Sequence, residues 1–153
     1  MERAGPRRVI FFAALAVTAF LLNYCWESLH GLLYNAHPEM AAMDYVPMML
    51  FMASMDTLGI IALYALTAIA GRTWFWNSGL RNNTIFFLFG IVAAYVVEYI
   101  TLYKLHLWQY GPSMPILFGV GLSPLFQLSL SGLFSIYVAR LVAGSRHYIT
   151  GSN

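Results

Sequence analysis

Four long apolar stretches, separated by short polar segments, dominate the chain. They run from Val9 to Leu33, Pro47 to Ala70, Thr84 to Leu107 and Ile116 to Val142. Each is longer than the ~20 residues that cross ~30 Å of hydrocarbon. Backbone hydrogen bonds cannot be left open in lipid, so each stretch is expected to be helical. The segments between them carry turn chemistry. The first holds Asn35, His37 and Pro38, and Pro47 is expected in the first turn of the second helix. The second holds Gly71, Asn77, Gly79, Asn82 and Asn83. Gly111-Pro112 breaks the third, and Pro115 is expected to open the fourth helix. Connectors this short imply a tight antiparallel bundle. The expected fold is therefore all-α: one domain, a polytopic membrane protein built as a four-transmembrane-helix bundle.

Composition agrees with this pattern. Of 153 residues, 60% are hydrophobic and only 9% charged. A soluble domain carries about a quarter charged residues. Placement of charge sets orientation. Arg3, Arg7, Arg8, Arg72, Arg81, Arg140 and Arg146 fall at one end of the bundle, and Lys104 alone at the other. The positive-inside rule places both termini and the middle connector in the cytoplasm, which points to the cell membrane, plasma or inner. Trp74, Trp76 and Trp108 are expected at the two interfaces as an aromatic belt. Arg140 is expected to snorkel to the cytoplasmic interface. The first helix has basic residues before its apolar core, as a signal peptide does. Its core is long, no small-residue cleavage site follows, and Tyr24 before Cys25 spoils a lipoprotein signal, so it reads as retained. The Asn82-Asn83-Thr84 sequon falls on the cytoplasmic side and carries no weight. Basic residues are too few and too scattered for a nucleic-acid surface. The single cysteine rules out an intrachain disulfide, and Cys25 is expected to be a buried small side chain.

Three of the six acidic residues, Glu27, Asp56 and Glu98, lie inside the apolar stretches. Charged groups at the bilayer centre cost roughly 2.5–3.5 kcal/mol apiece, so three unpaired would cost roughly 8–10 kcal/mol. At ~1.5 Å per residue, Glu27 lies about 10 Å below the outer end of its helix. Asp56 and Glu98 lie about 14 Å below theirs on the same rise. The three acids are thus expected in one layer of the outer half-bilayer. The fourth helix offers Ser123, Pro124 and Gln127 at similar depth. A mid-helix Pro124 would free the Val120 carbonyl toward a partner or a wet cavity. Asn23, Glu27, His30 and Tyr34, spaced by four, three and four, form one stripe with Trp26 beside it. Tyr95, Glu98 and Thr101 form another. Tyr24-x-x-Glu27-x-x-His30 echoes Tyr95-x-x-Glu98-x-x-Thr101 and hints at a duplicated hairpin.

Acid–base chemistry is the first reading. Lipid disfavours the charged form of a carboxylic acid, so such a group can hold and donate a proton at neutral pH. Glu27, His30, Asp56 and Glu98 are the candidate catalytic residues. Glu27 is the main donor, His30 relays or orients, and Asp56 and Glu98 share a proton or bind a second polar group. Asn23, Trp26, Tyr95 and Gln127 are the candidate substrate-binding shell. The substrate would be a lipid-like or isoprenoid-like hydrophobic molecule entering from the bilayer, with membrane lipids as surroundings and a second copy of the chain as an open partner. A purely structural polar network fastening the helices is the bland alternative.

A metal is the second reading. Glu27-x-x-His30 has the spacing of carboxylate-bridged bundle sites, but those require a second such pair, which the chain lacks. His106 lies about two turns beyond Glu98, nearer the interface. Six of the eight methionines fall between Met40 and Met55, and Met48, Met52 and Met55 share helical spacing. Thioethers suit Cu(I), yet methionine more often fills irregular apolar space. No metal or cofactor is assigned. Transport is the third reading. Four short helices with a buried glutamate resemble in plan the small multidrug resistance exporters, which implies proton-coupled export. A four-helix membrane body with embedded glutamates and a tryptophan also resembles in plan the sterol isomerase-type proteins. No motif of either family aligns residue by residue. An assembly or anchoring subunit of a larger complex is the remaining alternative. His37 and His147 are expected to be solvated. Ser131, Ser135 and Ala139 form a small-residue stripe suited to close packing.

Overall fold

The structure, a computed structural model, describes residues 4–76 and 79–145. Arg3, Asn77, Arg146 and His147 lie outside the described residues. Helix α1 spans Ala4–His30 and runs into two 3-10 turns, Gly31–Leu33 and His37–Glu39. Helix α2 spans Ala42–Ala70 and α3 spans Leu80–Tyr103. A two-stranded hairpin, β1 (Ile116–Leu117) and β2 (Val120–Gly121), precedes α4 at Leu122–Ser145. All four helices are long and apolar enough to cross a membrane.

Ala70 alone is kept among the expected helix ends: α1 is found at Ala4–His30 where 9–33 was expected, α2 at Ala42–Ala70 for 47–70, α3 at Leu80–Tyr103 for 84–107 and α4 at Leu122–Ser145 for 116–142. Three of these shifts bear on the site. Helix α2 begins at Ala42, so Pro47 stands inside it and not at its first turn. Helix α3 stops at Tyr103, where the chain closes with Leu105 N–H on the Ile100 carbonyl and Leu107 N–H on that of Thr101. His106 takes a left-handed φ of 51° to make that closure. Helix α4 begins at Leu122, because Phe118 (φ 51°) and Gly119 (φ 83°) turn the chain back on itself. Two successive positive φ values give the turn that matches strand twist, so 116–121 pairs antiparallel and cannot be helix. Tyr103 donates to the Gly119 carbonyl at 2.7 Å and Tyr95 to that of Phe118 at 3.5 Å, fixing the hairpin on α3. Pro124 consequently falls in the first turn of α4. Its missing N–H is an orphan there in any case, so the mid-helix break expected at Pro124 does not form.

Around the bundle the order is α2, α1, α4, α3. Helix α1 packs broadly on α4 and α2, and α3 packs on α4. The α2–α3 seam is the loosest between neighbours. Close approach of α3 and α4 depends on glycine. A Cβ on Gly90 would collide with Ser129 Oγ, and one on Gly132 would sit 2.6 Å from the Phe86 ring. The small stripe Ser131, Ser135 and Ala139 is buried.

The half of the bundle that holds the chain's N-terminal end is a packed apolar core, with Phe11, Leu15, Ile60, Tyr64, Phe86 and Ile136 at its centre. Trp76 belongs to it at 2% exposure, whereas Trp74 is exposed. Trp76 is therefore not a belt residue. Arg140 does not snorkel outward: its guanidinium lies 4.8 Å from the Trp76 ring centroid and donates to the Trp76 carbonyl. Tyr64 donates to the Trp74 carbonyl at 2.9 Å, so two side chains staple this connector to the core. Cys25 is exposed on the outer surface of α1 and is not the buried side chain expected.

Candidate functional site

The other half of the bundle is polar inside. Position along α1 explains the division: Phe11, Leu15 and Ala19 face the core, and the same face continues as Asn23, Glu27 and His30. Residues three or four apart stay on one face, so one stripe of one helix changes from apolar to polar midway.

Gln127 is the hub. Its Nε2 lies 2.5 Å from Glu27 Oε1, 2.7 Å from Asp56 Oδ2 and 3.2 Å from Asn23 Oδ1, so its two N–H groups serve the carboxyl oxygens and the longer Asn23 contact is shared. One amide from α4 thereby holds acceptors from α1 and α2. Asn23 also accepts from Ser131 Oγ at 3.2 Å and anchors its own amide on the Ala19 carbonyl at 2.8 Å. The Glu27 and Asp56 carboxyl groups lie within hydrogen-bond reach of each other. Two carboxyl groups keep that contact by sharing one proton. Asp56 as a whole is half-buried.

Glu98 forms a second centre. It accepts from Tyr34 at 3.3 Å and, by a short bond, from Tyr110. Tyr110 in turn accepts the Gly121 N–H at 2.7 Å. Trp108 Nε1 is buried close to the same carboxyl group without a hydrogen bond of good geometry. Burial first, and then the Glu98 carboxylate, push both the Tyr34 and Tyr110 phenols up from their ordinary value. Both therefore stay protonated and act as donors. The connectors hold these rings in place: Tyr34 and Tyr110 form a β-bridge, with Asn35 N–H on the Gln109 carbonyl and Gly111 N–H on that of Leu33.

The two centres face one cavity of about 60 Å³. Glu27, His30, Tyr34, Asp56, Glu98, Trp108 and Gln127 supply its polar lining, and Met52, Ala94, Val97, Pro124 and Leu128 the rest. His30 is 5% exposed and neither ring nitrogen has a partner. Several of these apolar lining residues come from α2 and α3, so the cavity lies against the loosest seam.

Of the residues singled out from sequence, Glu27, His30, Asp56, Glu98 and Gln127 meet at this cavity, with Asn23 directly behind Gln127. Trp26 and Tyr95 do not line it. Trp26 is half-buried with its indole N–H unpartnered. Tyr95 faces an apolar groove formed with Phe118 and Phe126 and braces the hairpin. Tyr110 and Trp108 were not among the sequence candidates for the site. The signal that could have found them was an aromatic pair around Gln109, just beyond a helix that carries an acid within its apolar stretch. His37 is half-buried, not fully solvated, and its Nδ1 meets the Gly31 carbonyl at 3.0 Å. Among the described residues no three His, Cys, Asp or Glu side chains converge to hold a metal ion. Comparison with known protein families, curated proteins and solved structures gives no match.

Proposed function

We propose that this chain is a multi-pass membrane protein with cytoplasmic termini that performs acid–base chemistry on a lipid-like or isoprenoid-like hydrophobic molecule. One observation carries the reading: two carboxyl groups held by one Gln127 amide, a third carboxyl group and an unpartnered histidine line a single cavity. Intramembrane acids mark functional sites by default, because holding them in lipid costs so much otherwise. Glu27 and Asp56 give and take the proton, Gln127 fixes their geometry, and Glu98 with its two phenols orients a second polar group.

Size limits what is enclosed. Small-molecule pockets are roughly 300–1,000 Å³. At about 60 Å³ this cavity takes only the reacting polar end of a substrate. The apolar remainder would lie along the α2–α3 seam, open to lipid. A carrier would also need a route through the other half of the bundle, which the aromatic core fills. An enzyme or binding site entered from the bilayer needs no such route.

Native mass spectrometry of protein released from mild detergent tests this. Wild type is expected to keep a lipid-sized adduct that Glu27→Gln and Asp56→Asn lose and the control Glu39→Gln keeps. Equal adducts in all four proteins, or none in any, would sink the proposal.

A further inference from the structure

A second space lies outside the acid cavity. It has a volume of about 360 Å³ and is lined by residues of the first and third connectors and the start of α2, among them Asn35, His37, His106 and Gln109. Tyr34 and Trp108 line both spaces. The two rings are therefore the wall between this vestibule, which sits among the connectors, and the acid site.

We propose that this vestibule is the proton-uptake site of the protein and that His37 is the group that takes protons from water and passes them through Tyr34 to the buried acids. The inference rests on the acid–base reading above, and names how that site is supplied. Hydrophobic substrate comes through the lateral seam; protons come through the connectors.

The geometry is a row of proton-bearing groups. The His37 and Tyr34 rings are 5.2 Å apart between centroids, and the Tyr34 and His30 rings are also 5.2 Å apart. Tyr34 donates to Glu98 at 3.3 Å. Glu98, His30 and Glu27 then share one cavity. His37 is poised for uptake by its tautomer. Its Nδ1 faces the Gly31 carbonyl and must carry the hydrogen, which leaves the Nε2 lone pair free. Burial holds His37 below its ordinary value, so the ring rests neutral at neutral pH and gives up an acquired proton readily. Tyr45 from α2, His106 from the third connector, His30 at the end of α1 and Glu39 on its own turn are the other titratable groups around it.

The step balances. Water delivers a proton to His37 Nε2. Tyr34 oxygen accepts that proton as the phenol's own proton passes to Glu98, and nothing is oxidised. His30, with both ring nitrogens unpartnered, then carries the proton across the cavity toward the Glu27–Asp56 pair. The Trp108 indole N–H is a donor only and cannot accept a proton to pass on, so Trp108 serves as the rigid side of the wall.

Infrared spectroscopy of the protein in lipid nanodiscs tests this without knowledge of the substrate. A neutral carboxyl band, assigned by its loss in Glu27→Gln or Asp56→Asn, is followed after transfer to heavy water. Exchange is expected to slow roughly a hundredfold in His37→Ala and in Tyr34→Phe, the low end of what a positioned acid or base contributes. Imidazole added to the buffer is expected to restore the rate in His37→Ala but not in Tyr34→Phe. Asp44→Asn, at an exposed carboxyl group that lines neither space, is expected to exchange like wild type. Unchanged exchange in both variants, or slowing that imidazole does not relieve in His37→Ala, would overturn the proposal. Absence of any neutral carboxyl band in the wild type would instead overturn the acid-site reading on which it rests.

Discussion

Gln127→Leu is expected to destabilise the protein by about 1–3 kcal/mol. The figure follows from the two N–H groups of one amide, which serve Glu27 and Asp56, while Asn23 keeps its bond from Ser131. Hydrogen bonds between membrane helices average about 0.6 kcal/mol and reach about 1.7 kcal/mol, and two of them span that range. Leucine has nearly the same volume, so packing is preserved and the loss is of polar satisfaction. The upper half of the range applies if the carboxyl groups find no substitute donor, since a buried acceptor left alone carries its desolvation penalty. Unfolding by graded denaturing detergent would measure it. A cost under about 0.5 kcal/mol would mean that the hub is incidental and that the helices are held by packing alone.

The same substitution separates structural from chemical roles. Adding Glu27→Gln to Gln127→Leu returns an amide donor to the cluster facing Asp56. Stability is expected to recover by about 1 kcal/mol, a coupling typical of residues in one network. Adduct retention is not expected to recover, because the proton-bearing group at Glu27 is gone. Recovery of both would assign the cluster to helix fastening and remove the case for acid–base chemistry.

The four long apolar helices and the meeting of the three acids were legible from sequence for one reason: in a chain patterned for lipid, exceptions are few and stand out. A helix of ~20 apolar residues and an acid inside it are both conspicuous against a solvent that tolerates few charges. The stripe Asn23, Glu27, His30 was legible because helical spacing alone puts it on one face. What was hidden depends on which way an apolar surface faces. Lipid and protein interior look alike to a side chain, so Cys25 lies outward, Trp76 lies inward, and nothing in their neighbours distinguishes them. Tyr95 keeps helical register with Glu98 yet turns to the hairpin. Thr101 folds back onto the carbonyls of Val97 and Glu98, while His30, its counterpart in the sequence echo, opens to the cavity. The shared spacing therefore joins residues in different environments. The hairpin was missed because Ile116 to Gly121 is apolar enough to continue a helix. Only the left-handed pair Phe118-Gly119 breaks it, and a phenylalanine gives no warning of a positive φ. Its consequence is large, since moving the helix start to Leu122 turns Pro124 from a break into a first-turn residue. The aromatic wall was missed for a related reason. Trp108 and Tyr110 sit beyond the end of a span, where belt residues are expected, and only the pairing of Tyr34 with Tyr110 folds them back over Glu98.

Gly90→Val is expected to be the most damaging substitution outside the polar cluster. A Cβ at this position would collide with Ser129 Oγ and would lie 3.2 Å from the Ser129 Cβ and 3.1 Å from its Cα. The collision with the hydroxyl is with a side chain and can be relieved; the approach to Cα is to the backbone of α4 and cannot. Overpacking costs typically about 1–3 kcal/mol, and valine adds two methyl groups to a space already closed to one carbon, so a loss of about 3 kcal/mol or more is expected. Gly90→Ala is expected to cost less. Ser129→Ala should relieve it only in part, because the crowding against the α4 backbone remains and the Ser129 bond to the Phe87 carbonyl is lost. Gly132→Ala meets the Phe86 ring at 2.6 Å and should fall below Gly90→Val, because a ring can shift where a helix backbone cannot. Position makes the result functional as well. Gly90 lies one turn from Ala94 and two from Glu98 on the same face of α3, and both line the cavity. Forcing α3 away from α4 at Gly90 should displace Glu98 from Tyr110 and narrow the α2–α3 seam, so adduct retention is expected to fall along with the unfolding midpoint. A Gly90→Val protein as stable as wild type would show that α3 and α4 do not approach this closely, and the cavity whose walls they form would have to be redrawn.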